Sequence, residues 1–285
     1  MPVLLCVVTL RRKGRPIMDK NPVLFDGAMG TQLQLRGLKQ DPAILNLTAP
    51  DAIINIHRAY INAGVDIITA NTFGAYSHKY ANSKELIRAA MKNGRTAIGD
   101  GGQLLALDIG PTGLMLEPYG DATPEEVHKL ISEAIEAGAE DADIILIETM
   151  MDLAELEIAV KAASAASLPI FATMTFDKNG RTMMGTSLSD MVDLLEIEPL
   201  GVDALGMNCG FGPDAYVPLA AELARLTDMP IIVQPNAGLP TAGGQYDLTI
   251  EEFANAMNAI NADFMGGCCG TSPAHIAALA QRVPQ

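Results

Sequence analysis

From residue 23 onward, short apolar runs alternate with longer stretches of helical spacing, and the alternation repeats eight times. The apolar runs lie at 23–25, 66–69, 104–109, 143–147, 169–175, 204–207, 230–233 and 264–265. Most lack polar residues at every second place, which is the pattern of strands covered on both faces, as in a parallel sheet wrapped by helices. The stretches between them carry helix signals. Thr123 stands before Pro124 with Glu126 three residues on, and Thr249 is followed by Glu252. Thr48 precedes a helix over 50–63, and a further helix is expected to start near Ser189. Eight strand–helix units with no break in composition predict a single-domain (β/α)8 TIM barrel over residues 21–285. A doubly wound open sheet is the alternative, but no Gly-rich dinucleotide turn follows the first run.

Residues 1–20 read as a flexible N-terminal arm outside the barrel, with Met18 as an alternative start and Cys6 without a chemical role. The apolar residues 1–10 are too few to span a bilayer. Their positive charges follow rather than precede them, the reverse of a secretory signal. The formal net charge is −15, although Arg11, Arg12, Lys13 and Arg15 all fall in the arm. Such a surface is unsuited to nucleic acid or anionic lipid, which require clustered Lys and Arg. Small-molecule chemistry is the expectation, with neither nucleic acid nor membrane as partner.

Polar residues collect where the apolar runs end: Asp26, Asn71, Glu148, Asn208, Cys209, Asn236, Cys268 and Cys269. In a parallel barrel those ends share one mouth, where sites in this fold are found. The cysteines stand out. Four in 285 residues do not form a disulfide scaffold, and a reducing cytoplasm is expected. Buried free thiols are one reading, since cysteine packs as a small hydrophobe. Against it, Gly266-Gly267-Cys268-Cys269-Gly270-Thr271 places two adjacent thiols among glycines, whose backbone freedom suits a bend that lets both converge. With Cys209 they make a three-thiolate set, which favours zinc. None of the four histidines competes as a ligand. Three protein ligands leave one position of a tetrahedral zinc open, and thiolate donors suit that position to a substrate thiol more than to water. A free thiol with a pKa near 8.5 is mostly protonated at neutral pH, so the metal's part is to supply the anion.

Asp26-Gly27-Ala28-Met29-Gly30-Thr31, Asn71-Thr72-Phe73, Gly110-Pro111-Thr112, Glu148-Thr149 and Asn208-Cys209 recur in order with Pro235-Asn236-Ala237-Gly238 and the double-cysteine stretch. Together they resemble the homocysteine S-methyltransferase domain family over residues 23–283. The likeness is greatest to the homocysteine-binding module of cobalamin-dependent methionine synthase, through 235–240 and Tyr246-Asp247-Leu248. Betaine–homocysteine methyltransferase is a more distant relative. The resemblance implies a (β/α)8 barrel, one Zn2+ on Cys209, Cys268 and Cys269, and homocysteine or a related thiol as acceptor. It implies that Asp26 and Glu148 position the substrate amino group. The backbone of Gly27 and Ala28, in the turn to Gly30, would then receive the carboxylate. Asn71, Thr72 and Asn208 are candidate substrate contacts or loop-fixing residues, and Asn236 a candidate oxygen donor to zinc when substrate is absent. For Asp26 the bland reading is a turn-stabilising side chain, and for Glu148 a barrel-end salt bridge.

No Asp-x-His-x-x-Gly sequence of the cobalamin type occurs, and no cobalamin or folate module is expected on this chain. The expected donor is therefore a methyl-corrinoid on a separate protein, with methionine as product. The alternatives are a small-molecule donor such as betaine or S-methylmethionine, another thiol acceptor, a non-catalytic zinc- and thiol-binding component, or a metal-free barrel lyase.

Overall fold

Parallel strands cannot satisfy their own edges, and here each finds a neighbour on both sides. The computed structural model describes residues 11–12, 15–16, 22–196 and 200–283. The strands are β1 (Val23–Leu24), β2 (Ile67–Thr69), β3 (Leu104–Ile109), β4 (Ile144–Met150), β5 (Ile170–Met174), β6 (Ala204–Cys209), β7 (Ile231–Pro235) and β8 (Phe264–Met265). Consecutive strands from β2 to β8 pair in parallel, and β8 pairs with β1. The ring closes between β1 and β2. Phe25 bridges Ile67, Asp66 N–H donates to the Leu24 carbonyl at 2.8 Å, and Asp26 N–H donates to the Ile67 carbonyl at 3.1 Å. The result is a (β/α)8 barrel. The expected arm over residues 1–20 falls outside the described residues, apart from an antiparallel pairing of Arg11–Arg12 with Arg15–Pro16.

Strand parity divides the core in two. Val23, Phe25, Ile67, Leu104, Ala106, Ile144, Leu146, Phe171, Ala204, Ile232 and Phe264 fill the barrel interior. Their neighbours of opposite parity, such as Leu105, Leu107, Ile145 and Ile147, belong to the layer under the helices. Phe25, Phe171 and Phe264 meet inside, with ring centroids 4.7–6.2 Å apart. At the N-terminal end of the barrel, every second strand is preceded by an aspartate that braces the strand before it. Leu24 N–H donates to Asp66 at 3.0 Å, Leu105 to Asp143 at 2.8 Å, Ile170 to Asp203 at 2.8 Å and Ile231 to Asp263 at 2.9 Å. A carboxylate accepting a backbone N–H is a strong bond, so four of them pin the strand starts.

The helices are α1 (Gly30–Leu35), α2 (Pro42–Thr48), α3 (Pro50–Asn62), α4 (Ser83–Ile98), α5 (Pro124–Gly138), α6 (Leu153–Ala163), α7 (Leu188–Leu195), α8 (Pro213–Leu226), α9 (Ile250–Met257) and α10 (Pro273–Ala280). Both expected capping boxes form, at Thr123 with Glu126 and at Thr249 with Glu252. One local reading is corrected. Thr48 ends α2 and Ala49 stands before Pro50, because a short helix fills the first connection. Helix α7 starts near Ser189 as expected, capped by Ser187, whose hydroxyl pairs reciprocally with Asp190. Helix α6 stops at Ala163 and continues only as a 3-10 turn over Ser164–Ala166. No helix among the described residues is long and apolar enough to cross a membrane.

Between β6 and β7 the chains approach closely at Gly206, where a Cβ would run into the Ile232 carbonyl oxygen and lie 2.7 Å from its carbonyl carbon. Gly206→Ala is therefore expected to lower stability by about 1–3 kcal/mol, the range for overpacking. Urea unfolding measures it, and a wild-type midpoint would show that this contact does not constrain the barrel.

Candidate metal centre

The barrel interior changes character in one layer. On the inward parity, Leu104 and Ala106 lead to Asp108, Ile144 and Leu146 to Glu148, Phe171 to Thr173, Ala204 to Asn208, and Ile232 to Gln234. Above that layer lies a cavity of about 540 Å3 at the C-terminal ends of the strands. Asp26, Gly27, Ala28, Asn71, Glu148, Cys209, Cys268 and Cys269 all line it, although they span most of the chain.

Two backbone devices bring the thiols together. Cys209 ends β6 in the left-handed region, at φ 64°, an unusual conformation for a residue with a side chain. The Tyr216 hydroxyl lies 3.1 Å from the Asn208 carbonyl and 2.7 Å from that of Cys209, holding the turn from beneath. Beyond β8 the chain bends between β1 and β7. Gly267 N–H donates to the Asp26 carbonyl at 3.0 Å and Cys268 N–H to the Pro235 carbonyl at 2.8 Å. Thr271 closes the bend by donating from its hydroxyl to the Cys268 carbonyl at 2.6 Å. A Cβ on Gly267 would sit 2.6 Å from that same hydroxyl, so the bend needs glycine there.

The sulfurs of Cys268 and Cys269 are 4.0 Å apart, and those of all three cysteines lie within 4.8 Å of one another. Four ligands around a tetrahedral zinc, with Zn–S near 2.3 Å, bring sulfurs roughly 3.8 Å apart. The set fits a metal ion. Its acid–base state points the same way. Hydrogen bonds from Cys209 and Cys268 hold the Cys269 thiol well below its ordinary range, with further help from the Tyr246 hydroxyl. The Cys268 thiol is pushed up by its hydrogen bonds to Cys209 and Cys269 and by burial. One thiolate is thus stabilised by the protons of its neighbours, and only a cation in their place lets all three ionise. Asn236 is buried with its side-chain oxygen unpartnered.

The other wall is acidic. Burial raises Asp26 to about 7, against an opposing hydrogen bond in which Thr69 N–H donates to its carboxylate at 2.9 Å. Glu148 is partly open to the cup yet ringed by protein. Burial, then the charges of Asp26 and Cys269, raise it to about 8, and it accepts from the Asn208 amide at 3.3 Å. The remaining sites divide between lining and support. The side-chain amide of Asn71 donates to the Pro42 carbonyl and to Asn46 at 2.7 and 2.9 Å. Thr72, Asn208 and Asn236 stand behind the lining. The Thr72 hydroxyl donates to the Asp108 carbonyl at 2.7 Å and accepts from Asp108 N–H at 3.0 Å, tying the β2 loop to β3. Asn208 joins three strands by accepting from Thr149 N–H and the Thr173 hydroxyl and donating to Glu148 and Thr149. In the turn expected to receive an anion, the N–H of Ala28 is already engaged by the Thr271 hydroxyl at 3.1 Å. Asp108 and Gln234 are lining residues outside the sequence expectations. Their signal was a polar residue inside an apolar strand, at inward parity.

An unfolded chain releases the Asp26 proton near 3.8, and the folded one near 7. Between those values the folded state holds the extra proton, so this group's contribution to stability falls as pH rises from about 4 to about 7 and is level above. Asp26→Asn is expected to remove that part of the slope in a pH series of urea unfolding of ligand-free protein. An unchanged slope would show that Asp26 ionises normally.

Residues 23–283 match the family described as "Homocysteine S-methyltransferase". The chain is 34% identical over 304 residues to the methionine synthase of Mycobacterium tuberculosis, covering 94% of this chain and 25% of that protein. The methionine synthase of Mycobacterium leprae is 34% identical over 295 residues, covering 90% and 24%. The chain therefore spans about a quarter of the length of these relatives. Among solved structures, the metallated form of the homocysteine methyltransferase MmuM from Escherichia coli superposes with a TM-score of 0.79 at 26% identity, covering 92% of this chain and 96% of that one.

Proposed function

The chain belongs to the homocysteine S-methyltransferase family, and on that premise we propose that it is a zinc-dependent methyltransferase forming methionine from homocysteine. The observation that carries this reading is the polarity of the cup, with three thiols on one side and buried carboxyls on the other. Cys209, Cys268 and Cys269 would hold the zinc, which fits their spacing and their shared protons. Zinc, when bound, supplies the positive charge that keeps an acceptor thiol deprotonated near neutral pH.

The protein's own residues provide binding and aim. Asp26 and Glu148 face the cup with carboxyls suited to an α-ammonium, and a charged nitrogen in a partly dry site needs such partners. Asn208 holds Glu148 in place. In the transfer a bond forms between the acceptor sulfur and the methyl carbon as the donor–methyl bond breaks, its electron pair staying with the donor. No proton moves at that moment, so no general base is needed, and alignment is the protein's main contribution.

For the donor, the reading favoured here is a methyl-corrinoid carried by a separate protein. Large apolar side chains stand exposed on loops that follow the strands: Phe73, Met115, Tyr119, Met183, Met184 and Leu239. All belong to the cavity end of the barrel, and an apolar rim there suits a macromolecular donor. A free small-molecule donor is the second reading, favoured because the barrel alone accounts for 96% of MmuM. Free thiols at Cys209, Cys268 and Cys269 support a reducing compartment, the cytoplasm.

Cys269→Ser is expected to abolish stoichiometric zinc and methionine formation while leaving the far-UV circular dichroism intact. Full activity with bound zinc in that variant would refute the reading. Supplying wild-type protein with a methyl-corrinoid protein, methylcobalamin, betaine, S-methylmethionine or methylfolate then separates the donors. Homocysteine binding without turnover on any of them would make the chain a non-catalytic thiol carrier.

A further inference from the structure

The connection from β7 to α9 folds into a hairpin of its own. Pro240 and Tyr246 pair across it, Thr241 N–H donates to the Gln245 carbonyl at 2.7 Å, and Leu239 N–H donates to the Asp247 carboxylate at 2.7 Å. Residues 239–245 are exposed, and Tyr246 is the half-buried residue that turns back to the barrel. Its ring fills the space beside Gly270, where a Cβ would run into the ring carbons. Gly270 also has φ 80°, so the chain leaves the double cysteine along a path that suits glycine. Main-chain bonds tie the base of the hairpin to the same bend. Ala237 N–H donates to the Cys269 carbonyl at 2.9 Å, and Leu248 N–H to the Ala237 carbonyl at 3.1 Å. Held in this way, the Tyr246 hydroxyl is a hydrogen-bond partner of the Cys269 sulfur. The main partners of Cys209 are the other two thiols and the Gly210 N–H, and those of Cys268 are the other two thiols.

A centre that methylates a thiol while held by thiolates carries a hazard. The three cysteine sulfurs lie within 4.8 Å of one another, and all three residues line the cavity. A methyl group delivered there meets the protein's sulfurs as well as the acceptor's. Its transfer to a cysteine would leave a neutral thioether in place of the anionic ligand that metal binding requires. Sulfurs so close are poorly separated by distance, but they can be separated by nucleophilicity. An O–H that donates to a thiolate draws charge from the sulfur, and a less basic sulfur is the weaker nucleophile.

We propose that Tyr246 is a positioning and specificity residue whose hydroxyl keeps Cys269 a metal ligand and not a methyl acceptor, so that transfer goes to the bound substrate thiol. The inference rests on the zinc methyltransferase reading and adds to it how the centre escapes its own reaction. The test compares zinc-loaded full-length wild type with Tyr246→Phe, which keeps the ring against Gly270 and removes only the hydroxyl. Methyl iodide is the probe, without acceptor: a sulfur–carbon bond forms as iodide leaves with the electron pair. Peptide mass spectrometry follows the initial rate at each cysteine. Cys269 should be methylated roughly two- to ten-fold faster in Tyr246→Phe, the worth of one hydrogen bond expressed as a rate. Cys209 and Cys268 should keep their wild-type rates, with equal zinc content beforehand. In cobalt-substituted protein, the sulfur-to-cobalt charge-transfer band should move to longer wavelength in the variant.

An unchanged Cys269 rate or an unmoved band would overturn the inference. So would equal acceleration at all three cysteines, which marks a loosened site, or loss of zinc from Tyr246→Phe, which assigns the hydroxyl to metal retention. Wild-type protein that holds neither zinc nor cobalt would instead refute the metal reading itself, and this inference with it.

Discussion

Closure of the parallel sheet between β1 and β2 is the constraint on which the rest depends. A parallel ring points every strand the same way, so eight C-terminal ends that are remote in sequence open into one cup. The Phe25–Ile67 bridge and the flanking backbone bonds complete that ring. Asp66 contributes twice at the seam, once through its N–H and once through its carboxylate, which accepts from Leu24. The same aspartate brace recurs at Asp143, Asp203 and Asp263, so the strand starts are pinned in pairs around the barrel. A rigid floor of apolar side chains, including three packed phenylalanines, then supports a polar layer that could not hold its geometry on loops alone.

The metal centre draws on this rigidity through local departures from regular structure. Cys209 adopts a left-handed backbone at the end of β6, and the double cysteine lies on a bend secured by Thr271. Both are conformations that an isolated segment would not keep. They persist because Tyr216, Pro235 and Asp26 supply hydrogen bonds from other units of the barrel. The acidic wall is of the same kind. Its carboxyls shift because they are enclosed together, and that enclosure is a property of the fold.

Much of this was legible in the residue order. The eight apolar runs, the two capping boxes and the gathering of Asp26, Glu148, Cys209, Cys268 and Cys269 at run ends all follow from periodicity and position. The four aspartates that precede alternate strands were also written there, in Val65-Asp66, Ala142-Asp143, Val202-Asp203 and Ala262-Asp263. They are hard to see as a pattern without knowing which strands are neighbours. The helix boundary near Thr48 shifted because a short helix occupies the connection, so Thr48 ends that helix and Ala49, without a side-chain cap, stands before the next. Thr72, Asn208 and Asn236 sat at the right address yet proved to stand behind the cavity wall. Residue type and strand end cannot distinguish a side chain that lines a cup from one that supports it.

Sequence alone therefore determined the barrel and the identity of the three thiols, because hydrophobic periodicity and a Gly-flanked cysteine pair are local signals. The distance between sulfurs, the division into a thiol side and a carboxyl side, and the burial of each acid were decided only by tertiary structure. Asp108 shows why. In the chain it is one polar residue near the end of an apolar strand; in the barrel, parity turns it inward, burial strips it of solvent, and Glu148 and Asp26 become its neighbours. Those neighbours come from other strands, and closure of the ring brings them together.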